Sequence, residues 1–229
     1  MKKLKKLISS LTIFERVLWI TSIVVVGISF MCVPNRDYLT LIASLIGVSA
    51  LIFVAKGYVF GQAMCVVFAI FYGIISFRFR YYGEMITYLG MSAPMAIAAV
   101  ISWAKNPYKE SAVVKVNKMK KYQIILMVVL SVVVTTAFYF ILRALGTANL
   151  TFSTISVTTS FVAVYMTYLR SPYYALGYAA NDVVLIVLWV LASIENPAYI
   201  PMIICFLMFL ANDVYGFINW KRIEKSQKN

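Results

Sequence analysis

The sequence predicts an all-α integral membrane protein with eight transmembrane helices. They are arranged as two parallel three-helix repeats around a linker helix (3+1+3), with an extra helix at the N-terminus. Three observations point there. The 229 residues are 62% hydrophobic with a mean hydropathy of +0.86, well above the ~45–50% apolar share of soluble domains. The apolar residues fall in eight continuous runs of about spanning length rather than in short alternating ones, which excludes a β-barrel. The basic residues lie between the runs and alternate in number from one connection to the next.

Residues 1–37 hold a basic amphipathic N-terminus and the first span. Leu4, Leu7, Ile8, Leu11 and Phe14 form one helical stripe, and Lys2, Lys3, Lys5 and Lys6 suit an anionic leaflet. The run Val17–Val33 lacks an A-x-A cleavage site, and Met31 before Cys32 is too large for a lipoprotein box. It is expected to remain as a span. Runs at 38–55, 59–76 and 84–104 make the first repeat (38–104). A basic cytoplasmic loop, expected to be a solvated anchor, covers 105–122. The linker helix lies within 123–146. Runs at 152–169, 173–192 and 199–220 make the second repeat (152–220), and 221–229 form a cytoplasmic tail.

With the N-terminus inside, seventeen of the 21 Lys and Arg residues fall on the inner side. Only Arg36, Arg78, Arg80 and Arg143 fall outside. Both termini are therefore expected in the cytoplasm. The formal charge of +13 reports topology, so no nucleic-acid partner is expected; the bilayer is the partner.

Several chemistries drop out. The chain has no His, its three Cys residues are isolated in apolar runs, and it has no GxxxxGK[ST] loop. No metal, cofactor or nucleotide hydrolysis is expected. Asp182 and Asp213 on neighbouring spans suggest an aspartyl protease dyad, but the GxGD and PAL contexts of intramembrane proteases are missing. An enzyme is not expected.

The repeat is visible in register. At an offset of 116, Thr40, Ser44 and Gly61 fall on Ser156, Ser160 and Gly177, and at 117 Trp103 falls on Trp220. One span between the units starts both from the same side, which makes the repeats parallel. Pro94, beside Ser92 in mid-span, is a candidate kink.

Polar side chains at membrane depth cost ~2.5–3.5 kcal/mol for a central Asp, so they mark a cavity or a path. The tetrad Ala180-Asn181-Asp182-Val183 recurs as Ala211-Asn212-Asp213-Val214. Counting from the inner boundary at 1.5 Å per residue puts Asn181 and Asn212 at ~12 Å, with Ser160 at nearly the same level. The candidate solute contacts are Asn181, Asn212, Ser160, Tyr178, Asp182, Asp213, Tyr215 and Trp189. Successive residues diverge by about 100° around a helix, so one member of each Asn-Asp pair is expected to face the solute and the other a neighbour.

Four stretches carry a family resemblance: GVSALIFVAKGYVFGQ, FYGIISFRFRYYGE with the later Trp103, TFSTISVTTSFVAVYMTYLR, and NDVYGFINW. Over most of residues 40–220 the chain resembles the PnuC-type nicotinamide riboside transporters. That resemblance implies a SWEET-like architecture in the cell membrane. It also implies facilitated diffusion of a ribosylated vitamin, trapping by a cytosolic kinase, and a solute contact at Asn181. The family commonly has a Trp one turn before this Asn, where this chain has Gly177. The expected consequence is a wider pocket with one stacking ring fewer. Carriage of a deoxynucleoside, thiamine or riboflavin therefore stays open, as do proton coupling through Asp182 or Asp213 and self-association.

Overall fold

The computed structural model describes residues 7–33, 37–78, 82–109 and 111–228. Lys2 to Lys6, Arg36 and Arg80, which enter the charge count, lie outside them. Among the described residues, eight helices are long and apolar enough to cross a membrane. They are α1 (Ile13–Met31), α2 (Tyr38–Ala55), α3 (Val59–Arg78), α4 (Tyr82–Ala104), α5 (Lys121–Ala144), α6 (Leu150–Tyr168), α7 (Tyr174–Glu195) and α8 (Ile200–Lys228).

Helix boundaries follow local chemistry. α1 starts four residues before the expected Val17 because Thr12 and Glu15 form a capping box: Glu15 N donates to Thr12 Oγ1 at 3.3 Å and Thr12 N to Glu15 Oε2 at 2.6 Å. α2 is capped by Asp37, whose carboxylate accepts from Leu39 N and from Thr40 Oγ1. α8 continues past Trp220 into the segment expected as the tail. Lys221 and Lys228 pair with Glu224 at 2.6 and 2.9 Å, one turn away on either side, and the helix continues to Lys228.

Six helices surround the centre of the bundle, and two lie outside it. α1 packs on α2 and α8, while α5 packs chiefly on α6. Only Ser131 and Leu142 of α5 are buried, so most of this helix faces outward. Among the six, α2–α3–α4 and α6–α7–α8 are neighbours in chain order. The groups also cross, α8 packing on α2 and α4 on α6. At these crossings Trp103 Nε1 donates to Thr167 O at 2.8 Å and Trp220 Nε1 to Val54 O at 2.9 Å. Both indoles are fully buried and lie 5.1 Å apart by ring centroid.

Close approach explains two glycines. A Cβ on Gly61 would lie 2.4 Å from Val54 N, and one on Gly177 would lie 2.9 Å from Ala163 Cα. Each lets the second helix of its group seat directly on the first.

α4 is irregular where Pro94 was expected to kink it. Residues Thr87–Ser92 form a π-helical turn, and Ala93 N–H reaches back to Tyr88 O. Proline at the second position of the α-helical stretch that follows lacks an N–H, so the irregularity sits immediately before it.

The connection 105–120 exposes its Lys side chains, as expected of a solvated anchor, but its described backbone is also tied to the bundle. Its residues make antiparallel bridges Tyr58–Val113 and Pro107–Val114, and Val114 is 1% exposed. Gln227 on α8 accepts from Val116 N at 2.8 Å and donates to Val114 O at 3.0 Å. Arg170 donates to Lys115 O and to Ser102 Oγ, and its carbonyl accepts from Asn117 N. A buried apolar residue and paired backbone groups make this segment a strap across the face that carries the chain ends.

Candidate functional site

A cavity of about 80 Å³ lies at the centre of the six helices, and residues of α2, α3, α4, α6, α7 and α8 line it. Its polar groups are Gln62, Ser92, Ser160, Asn181, Asp182 and Asp213; its rings are Phe68, Tyr88, Tyr174, Tyr178, Phe206 and Phe209. No side chain of α1 or α5 reaches it.

Asn181 is its best-held polar group. Its Oδ1 accepts from Ser156 Oγ at 3.3 Å, Thr159 Oγ1 at 2.9 Å and Ser160 Oγ at 3.0 Å. The hydroxyl spacing on α6, residues 156, 159 and 160, is one helix face. Three donors on one carbonyl fix the amide plane and leave Nδ2 without a hydrogen-bond partner among the described residues. A buried amide N–H pair held like this is a ready donor to a solute carbonyl or hydroxyl.

Asp182 on α7 and Asp213 on α8 both line the cavity, which brings two carboxyl groups to one space. Asp182 Oδ2 is buried with no partner, an acceptor left for a ligand. Gln62 is 2% exposed and makes no hydrogen bond among the described residues.

The ring side of the cavity is continuous. Phe68 packs edge-on against Tyr88 and Phe209. Tyr174 meets Tyr178 at 6.1 Å and Trp220 at 4.8 Å, both edge-on. Such a wall fits a flat heterocycle of either charge state.

Of the expected contacts, Asn181, Ser160, Tyr178, Asp182 and Asp213 meet at this cavity. Three do not. Asn212 turns to α1, where its Nδ2 donates to Ser22 Oγ at 3.0 Å and to Met208 O at 2.7 Å. Tyr215 donates to Glu15 Oε1 at 2.6 Å, beside the Lys56–Glu15 ion pair at 3.1 Å. Trp189 lies farther along α7 and lines a separate cavity. Their depth in the span marks Asn212 and Tyr215 as polar groups that need a partner, and α1 supplies it.

Two further expectations fail. Asn181 and Asp182 both line the cavity, because it wraps far enough around α7 to meet successive residues. Gly177 faces Ala163 and Met166 on α6 rather than the cavity, so its lack of a side chain leaves the pocket unchanged. The lining residues not anticipated include Gln62 and Tyr88. Gln62 was findable by the test applied to Asn181, a lone amide inside an apolar run. Tyr88 reaches the cavity from the π-helical turn, which no period in the sequence announces.

The family model described as nicotinamide mononucleotide transporter matches residues 37–222. The chain belongs to this family. Its members named nicotinamide riboside transporter PnuC include one from Neisseria mucosa, 29% identical over 96% of this chain and 86% of the relative. Another, from Haemophilus influenzae, is 23% identical over 91% of this chain and 90% of the relative. The crystal structure of the vitamin B3 transporter PnuC superposes with a TM-score of 0.82 at 28% identity, covering 95% of this chain and 94% of that one. This family member is accordingly a multi-pass membrane transporter, not an enzyme.

Proposed function

We propose that this transporter carries nicotinamide riboside, or a related ribosylated vitamin or nucleoside, across the cell membrane by facilitated diffusion. The observation that carries this reading is the central cavity, where an oriented amide, two carboxyl groups and a wall of rings converge. The relatives' printed names point to the same solute. Asn181 Nδ2 and Gln62 bind the polar edge of the base. Asp182 and Asp213 accept from ribose hydroxyls, a strong contact that fixes orientation. Tyr88, Tyr174, Tyr178 and Phe68 stack on the ring.

The cavity is smaller than the ~300–1,000 Å³ of ordinary ligand pockets, so loading requires the helices to part. The two groups α2–α4 and α6–α8 are the moving units, and their reciprocal indole bonds support reading them as parallel repeats. Both termini lie in the cytoplasm, on the side where seventeen of the 21 basic residues fall. A cytosolic kinase that adds a phosphate traps the solute, since nothing in the cavity offers a cation to hold a phosphate.

Purified protein in liposomes tests this. Saturable, gradient-driven exchange of nicotinamide riboside is expected, without net accumulation. No saturable uptake of it, or of a panel of nucleosides and vitamins, overturns the proposal. Two carboxyl groups lining one cavity favour one second reading, symport with a proton passed through Asp182 and Asp213. Accumulation driven by an imposed pH gradient and lost in Asp213→Asn separates symport from uniport.

A further inference from the structure

A second cavity, of about 90 Å³, lies where the start of α4, the α5–α6 connection and the end of α7 meet. This is the face opposite the chain ends. Glu84, Thr147, Ser153, Trp189 and Glu195 are among its lining residues. Two of its polar atoms, Glu84 Oε2 and Thr147 Oγ1, are buried with no hydrogen-bond partner. The Thr147 hydroxyl comes that close only because residue 83 is glycine: a Cβ there would lie 3.0 Å from Oγ1. Buried polar atoms are nearly always satisfied, so two orphans in one cavity mark a place that a ligand completes.

The charge of that ligand follows from the lining. The chain has 21 basic and 8 acidic residues, yet among the described residues no Lys or Arg lines this cavity or the central one. Glu84 and Glu195 line the one and Asp182 and Asp213 the other, half of all the acidic residues. Trp189 adds an indole, the best aromatic face for a cation. Among the described residues an anion would meet two carboxyl groups and no counter-charge.

Position connects the two cavities. Tyr178, Asp182, Leu185 and Trp189 follow one another at helical spacing on one face of α7. The first two line the central cavity, Trp189 the second, and Leu185, 1% exposed, stands between. Seven residues from Asp182 to Trp189 separate the two by about 10 Å.

We infer that this cavity is a second binding site, an entry site that holds a flat organic cation of the pyridinium type before it passes Leu185 to the centre. Glu84 supplies the counter-charge, Trp189 the stacking face, and Thr147 and Ser153 hydrogen bonds to the ligand's polar groups. The inference rests on the proposed function for the natural ligand only; the chemistry of the site stands on its lining.

The test is equilibrium binding to the purified full-length protein, using 1-methylnicotinamide as the cationic probe and nicotinamide as its neutral counterpart. The wild-type protein binds the cation at least tenfold more tightly than the neutral probe. Glu84→Gln removes that preference, Glu84→Asp restores part of it, and Asn212→Ala, which lines neither cavity, leaves it within twofold. Equal binding of the cation by wild type and Glu84→Gln overturns the inference. Should Glu84→Gln fail to fold, Glu195→Gln at the exposed rim weakens the cation about threefold; no change there overturns the inference equally. Failure of the proposed function reads differently: nicotinamide riboside is not taken up, while Glu84-dependent binding of 1-methylnicotinamide persists.

Discussion

The same four residues occupy 180–183 of α7 and 211–214 of α8, and the fold uses them in two ways. On α7 both Asn181 and Asp182 face the central cavity. On α8 Asp213 does so, while Asn212 bonds Ser22 on α1. The difference comes from what lies behind each helix. α1 packs against the far side of α8 and offers Ser22 there, whereas α7 meets the row of hydroxyls on α6 at the cavity itself. An intramembrane amide takes its role from the nearest helix that can satisfy it, and the tetrad alone carries no such information.

Four substitutions break or sharpen this contrast. The largest effect belongs to Asn181→Ala, which removes the oriented amide and strips three hydroxyls of their shared acceptor. Uptake efficiency in liposomes falls about 10–100-fold, as expected when a buried polar contact of ~1–3 kcal/mol is lost at the transported solute. Gln62→Ala comes next: the half-saturation concentration rises about tenfold and the maximal rate changes little, the loss of one hydrogen-bonding group with no other partner. Asn212→Ala, on the contrasting tetrad, leaves half-saturation within twofold. It lowers stability by ~0.6–1.7 kcal/mol, read from reversible unfolding, because an interhelical bond to α1 is gone. Smallest in transport is Gly177→Ala. Its Cβ presses on Ala163, costs ~1–3 kcal/mol of stability and leaves solute affinity unchanged. Were Asn212→Ala to abolish transport while Asn181→Ala spared it, the division of labour between the tetrads would be reversed.

The sequence made the spans legible because each is a long apolar run, and it made Asn181, Asp182, Asp213 and Ser160 legible because lipid penalises them. It hid whatever depends on helix rotation or on neighbours distant in sequence. Tyr215 looked like a solute contact and is a partner of Glu15, 200 residues away. The strap at 105–120 looked solvated because Lys residues punctuate it; Val113 and Val114, the apolar pair between them, are what the fold uses. Gly177 was read as a missing ring in the pocket. Nothing short of the α6–α7 contact tells that it faces Ala163.

α8 joins two features that otherwise lie far apart. Its middle contributes Phe206, Phe209 and Asp213 to the cavity wall, and its last turn holds the strap through Gln227. From Asp213 to Gln227 is fourteen residues, or about 21 Å of straight rod. A tilt of about 5° pivoting at the cavity swings the far tip by nearly 2 Å, enough to part a hydrogen bond. A rod of that length has the geometry of a lever: a small displacement at its middle would be magnified where Gln227 holds the strap.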